Sequence, residues 1–359
     1  MVEKAENDVE ECIHRAYASL KAGEAATALG FLKNALELDY EHREVLYALK
    51  CVNWWLDKLK RLDEFRDAYE RGEYILSQWK LYYDFLDRIG EAAPDRKTEG
   101  PKQKEAEKPA GEIPLPGTET GFQEEAYHSL DDFDSCQYAL KRFVFTLALD
   151  NFRNIPGDTG GAADNASQQD PVLLFQIGRC CKGAGNWEEA LKYFEEASRL
   201  KRDDSAILSE LADINALLGN DRAAKLLFRE AFFLDPQGID LRGLDSEMIL
   251  RVRDKLREMG YTDPALAEWI PVWGSIWGIF SIKRELKPVE FGRLKQSILS
   301  LENELRSKNG AGTNVKPRLL NRYFWLIDHC DHSRDNSVLD ETLLKIKVID
   351  PVVYEHYRT

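Results

Sequence analysis

The chain has 359 residues, 43% hydrophobic and 31% charged, with a formal charge of −14 and a mean hydropathy of −0.47; that supplies core for two or three domains, or for one array that grows by stacking. An acidic surface without a basic patch repels phosphate backbones, which excludes general nucleic-acid binding. Six cysteines, dispersed apart from the adjacent Cys180 and Cys181, lack the spacing of a disulfide scaffold, and the acidic start from Met1 to Asn7 lacks a secretory pattern, so a reducing, cytoplasmic setting is expected.

Residues 1–90 read as a degenerate helical region. Within Val9 to His42, the residues Ala16, Gly23, Ala28, Leu32 and Ala35 form a small, turn, small, large, small series, as two closely packed antiparallel helices require. A second pair begins near Arg43 with Leu46 and Leu49, and the stretch from Phe65 to Tyr83 predicts a longer partner out of that register. Residues 91–120 are rich in Pro, Glu, Lys and Gly with almost no large apolar side chain; such a segment cannot offset its ordering entropy and is expected to be a flexible linker. Residues 121–153 return to the series in degenerate form, with Ala139 and Phe143 in place and Tyr127 where a small residue belongs. The Gly, Ala, Asp and Ser of residues 154–170 predict a loop.

The clearest signal lies at residues 171–238. Counting from Pro171, the residues Leu174, Ile177, Gly178, Gly185, Ala190, Phe194 and Ala197 fall where a paired-helix unit needs large, small and turn residues. A shift of about 34 residues gives Leu208, Leu211, Ala212, Gly219, Ala224, Phe228, Ala231 and the helix-ending Pro236. Gly185 and Gly219 sit where a residue without a Cβ can take a positive φ. The gapless agreement of two consecutive units resembles the tetratricopeptide-repeat family.

The resemblance implies an all-α fold of antiparallel helix pairs stacked into an α-solenoid, a right-handed superhelix, with degenerate repeats and a modified C-terminal region. It also implies a protein or peptide partner held in a concave groove lined by the first helix of each pair. Carried onto this sequence, the groove residues are Phe175, Arg179 and Lys182, then Ser209, Asp213 and Ala216, with Tyr17, Tyr47, Trp54 and Trp55 from the N-terminal units. Aromatic and Arg side chains are the types that dominate interface energetics. Trp54 and Trp55 have a competing reading, as packing against the helix at Phe65 to Phe85. Chaperone-binding members grip a carboxylate with Lys and Asn where this chain has Phe175, Arg179, Ser209 and Asp213, so a carboxylate clamp is not expected.

Residues 239–359 form the modified helical region. From Asp263 to Leu286, the residues Leu266, Trp269, Trp273, Trp277 and Phe280 recur at helical spacing, after Pro264 at a first turn. That stripe reads as a buried helix capping the repeat core, as a docking face, or as a membrane-interface helix; its apolar part is too short to cross a bilayer, which needs about 20 residues. Contact with a membrane would then come through a partner assembly. Ser307 to Asn314 predicts a turn, and residues 320–353 align with the repeat at Ser205, Leu326, Leu339, Leu343, Ile346 and Pro351 matching Leu211, Ala224, Phe228, Ala231 and Pro236. The sequence has no phosphate-cradling loop, zinc-protease helix or nucleophile elbow. The pair Gly183 and Gly185 lacks the strand that a nucleotide loop requires. His329, Cys330, Asp331 and His332 could share a metal ion or sit at an exposed helix end, and Cys180 and Cys181 read as packed helix residues rather than a redox pair. The expectation is a non-enzymatic interaction protein without cofactor or metal.

Overall fold

The computed structural model describes residues 2–91, 132–155, 170–280, 286–307, 314–334 and 336–358. Among these residues there are α-helices and short 3-10 turns and no strand. The expected linker, except for its first residue, Tyr127, nearly all of the expected loop at 154–170 and the interior of the turn after Ser307 lie outside the described residues. The chain divides into two compact units, Met1–Pro156 with Gly183–Gly185, and Gly157–Lys182 with Asn186–Thr359.

In the first unit, α1 (Val2–Lys21) and α2 (Ala25–Leu38) form a tight hairpin, followed by α3 (Arg43–Leu59), α4 (Ala68–Glu91) and α5 (Asp132–Arg153). The small series does what close approach requires: Ala16, Ala28, Leu32 and Ala35 have no exposed surface, because small residues let two helix backbones meet. Helix α5 packs against α1, α3 and α4. Its Ala139 and Phe143 are buried.

The second unit holds two consecutive hairpins, α6 (Pro171–Gly183) with α7 (Trp187–Leu200) and α8 (Ser205–Leu217) with α9 (Asp221–Leu234). Gly185 and Gly219 take φ of +83° and +78°. In each turn the next N–H reaches back to a carbonyl of the preceding helix, Asn186 to Cys181 and Asn220 to Asn215, both at 2.8 Å, a bond only a left-handed residue permits at low cost. Asp204 caps α8, its Oδ1 accepting from the N–H groups of Ala206 and Ile207 at 2.9 and 3.1 Å, which satisfies two donors that a helix start leaves open. Ala190, Phe194, Ala197, Ala212, Ala224, Phe228 and Ala231 are all fully buried.

Beyond a 3-10 turn at Pro236–Gly238, the unit continues through α10 (Glu247–Glu258), α11 (Ala265–Ile276), α12 (Pro288–Arg306), α13 (Val315–Ser333), α14 (Asn336–Ile349) and α15 (Pro351–Arg358). The aromatic stripe is core: Trp273 and Phe280 are 2% and 0% exposed, with Trp269 and Trp277 packed beside them. This corrects the expectation of a docking face or membrane-interface helix. It also corrects the continuous helical stripe, because α11 stops at Ile276 and Phe280 folds back over Gly274, its ring filling the place a Cβ would take. From there the ring caps the second hairpin, 5.9 Å from both Phe228 and Phe232.

Candidate partner-binding grooves

The groove residues of the second unit come from α6 and α8, the first helices of the two hairpins. Arg179 and Lys182 lie almost one turn apart on α6, and Ser209 and Asp213 one turn apart on α8, so helical periodicity aims each pair at one strip. Arg179 Nε lies 3.4 Å from Glu210 Oε1, and its Nη2 lies 3.2 Å from Asp240 Oδ2. The Lys182 ammonium donates to Glu210 Oε2, to Asp213 Oδ2 at 2.8 Å and to the Gly243 carbonyl at 2.8 Å. Asp213 in turn accepts from the main-chain N–H groups of Asp245 and Ser246 at 2.9 and 2.8 Å.

These bonds seat the chain's own non-helical segment 239–246 along the groove strip. Ile239 and Leu244 go under with it, at 7% and 2% exposure. Lys182, Ser209 and Asp213 therefore offer almost no surface (5%, 1% and 0%), which corrects their expected place on an open groove. Ser209 donates to the Ala206 carbonyl of its own helix at 2.9 Å. Phe175 and Arg179 stay half-buried, the guanidinium 5.8 Å above the Phe175 ring, and Val172 on the same helix is exposed. Ala216 is half-buried near the end of α8.

Electrostatics holds the segment in place. Burial alone would push the Lys182 ammonium down, but the carboxylates of Asp213, Glu210 and Asp245 overturn that and hold its pKa well above the usual lysine value. Burial pushes the Glu210 carboxyl up, and the attraction of Lys182 and Arg179 offsets only part of the rise. The participants outside the repeat pattern, Glu210, Asp240, Gly243 and Asp245, were not anticipated. Their signal was acidic residues placed around an Asp on an otherwise apolar helix, which needs a buried cation to be tolerable.

In the first unit the corresponding strip is covered by α5. The Gln137 amide nitrogen lies 2.8 Å from Tyr47 OH, 3.1 Å from Tyr82 OH and 3.7 Å from Cys51 Sγ. Tyr17 is 6% exposed, and its hydroxyl donates to Glu44 Oε1 at 2.7 Å. Trp55 is 1% exposed and stacks on Trp79 at 5.7 Å, while Trp54 stacks on Phe85 at 5.6 Å and tilts on Tyr82 at 5.1 Å. Tyr17 and Trp55 are thus core residues rather than groove walls, and Tyr47 and Trp54 are half-buried.

A profile described as Tetratricopeptide repeat matches residues 171–204. That stretch is a tetratricopeptide repeat. It covers α6, α7 and the cap of α8, and the α8–α9 hairpin that follows shows the same buried small and aromatic residues. No curated protein matches the chain. Tetratricopeptide repeats are, as a class, protein-interaction modules. The cluster at His329 does not converge on one point: His329 Nδ1 accepts from the Leu286 N–H at 3.1 Å, Cys330 is buried, and Asp331 and His332 are exposed. Among the described residues no group of three or more potential ligands could hold a metal ion, and no helix is long and apolar enough to cross a membrane. Cys180 and Cys181 are both fully buried in α6.

Proposed function

We propose that the protein is a non-enzymatic adaptor of a reducing compartment that holds a protein or peptide partner on the first helices of its repeats. The observation that carries this reading is the segment 239–246: groove residues Arg179, Lys182 and Asp213 already grip a stretch of non-helical polypeptide, through one main-chain carbonyl, two main-chain N–H groups and the Asp240 carboxylate. A strip that satisfies main-chain groups in this way has the chemistry of a peptide-binding surface. The part of α6 left open to a partner is its start, where Val172 is exposed and Phe175 half-buried, with the edge of Arg179 beside it. An apolar anchor seated there gains from desolvation beside an aromatic ring, and the neighbouring guanidinium adds direction.

The test is affinity purification of the tagged chain from its native source beside a Val172→Glu, Phe175→Ala variant whose helical circular dichroism matches the parent. The adaptor reading expects proteins that come with the parent and are lost from the variant. Identical recovery from both removes the α6 strip from the proposal.

A further inference from the structure

Between α12 and α13 lies an open cleft of about 460 Å³, whose walls include Arg293, Gln296, Ser297, Ser300, Arg318 and Arg322. Three arginines in one cleft stand out in a chain of net charge −14, and they differ in how they are matched. Arg318 forms a fork with Glu268, Nε to Oε2 at 2.9 Å and Nη2 to Oε1 at 2.6 Å, lies 3.5 Å from Asp235, and feels the exposed Glu304. Its charge is answered.

Arg322 is not matched in this way. It is 8% exposed, and its Nε donates to Ser297 Oγ at 3.1 Å. Its Nη2 donates to the Phe233 carbonyl, its guanidinium lies 3.6 Å over the Phe233 ring, and Nη1 is buried without a hydrogen-bond partner. Among the described residues no carboxylate forms an ion pair with it. Burial and the neighbouring Arg318 push its pKa down to about 10, with Glu268 opposing. A buried cation short of counter-charge is unfavourable unless something compensates it.

Apart from Leu301, the opposite wall supplies donors or groups that can donate. Arg293, Gln296, Ser297 and Ser300 recur at the three- and four-residue spacing that gathers side chains onto one strip of a helix, here α12. Arg293 is exposed and has no ion pair among the described residues. Ser297 accepts from Arg322 and keeps its own O–H free to donate. Donors spread over two turns of one helix, with a guanidinium from another, approach from several directions and so suit the three terminal oxygens of a phosphate better than the two coplanar oxygens of a carboxylate.

We propose that this cleft binds a phosphate monoester, with Arg322 and Arg293 supplying the counter-charge and Ser297 and Ser300 donating to its oxygens. The site shares no residue with the groove on α6 and α8 and stands independently of the adaptor reading.

Isothermal titration of the full chain with inorganic phosphate, at constant ionic strength against chloride, tests it. One saturable site is expected, weakened at least tenfold by Arg293→Gln, whose exposed side chain can be lost without disturbing the fold, and abolished by Arg322→Gln. If Arg322→Gln does not fold, Ser300→Ala with Arg293→Gln carries the test, since both positions are on the surface. A phosphoserine peptide and free phosphoserine then distinguish a modified partner from a small phosphorylated metabolite; displacement of the bound inorganic phosphate by either supports the site. Heat that does not saturate, equal binding by Arg293→Gln, or equal affinity for a short phosphodiester oligonucleotide overturns it.

Discussion

Burying an ammonium ion costs several kcal/mol unless its donors and its charge are both met, and Lys182 meets them with Glu210, Asp213 and the Gly243 carbonyl. Replacing it by Met strands two buried carboxylates. We expect Lys182→Met to cost about 3–5 kcal/mol at neutral pH, read from urea midpoints. The loss should shrink on going from pH 7 to pH 5. The Glu210 carboxyl already sits above its ordinary range; a group with a raised folded pKa stabilises below its unfolded pKa and loses that contribution as pH rises through the folded one. A loss that is the same at both pH values would contradict this account. At the same scale, Asp213 was legible as a position on the groove strip, because offset along a helix fixes the face, but not as a buried one. What covers that face was not legible, since the covering N–H groups belong to Asp245 and Ser246, far along the chain.

At the scale of elements, the spacing of small residues has a steric meaning that two glycines separate. A Cβ on Gly178 would lie 2.7 Å from the Phe194 ring, while one on Gly30 in α2 would meet nothing within 4 Å. Helix propensity favours alanine by roughly 1 kcal/mol at either position, so contact decides the sign. Gly178→Ala should destabilise by about 1–3 kcal/mol through overpacking, and Gly30→Ala should stabilise by about 0.5–1 kcal/mol. Thermal or chemical unfolding of the two variants checks the pair; a stabilised Gly178→Ala would mean that the first tetratricopeptide hairpin is looser than its packing indicates. Elements were legible where period and turn residues agreed, as at α6 to α9. At α11 the period ran on through Gly274 and Gly278, yet the helix ends at Ile276. Those two glycines were the available sign that Phe280 turns back, and an aromatic repeat alone cannot show it.

Across the whole chain, a formal charge of −14 makes self-repulsion a cost of every compact state. Raising NaCl from about 10 to about 200 mM shortens the Debye length several-fold and should raise the thermal midpoint, by about 2–4 °C for each kcal/mol of relieved repulsion. The buried pairs of Lys182 are screened little. A midpoint that falls with salt would show surface ion pairs outweighing repulsion. Composition marked its main break at residues 91–120, whereas the compact units divide after Pro156. Composition registers where apolar residues are scarce; it does not register that α5 settles on α1, α3 and α4, a pairing carried by Cys136, Ala139, Leu140 and Phe143, all buried.

The seating of residues 239–246 bears on how this protein can be cut. A fragment trimmed where the repeat pattern ends, at Gly238, would lose the partners of Lys182 at Gly243 and of Asp213 at Asp245 and Ser246. The apolar cover from Ile239 and Leu244 would go with them. Such a fragment would present a wet, charged scar in place of a finished surface, and whatever adhered to it would report the scissors rather than the protein.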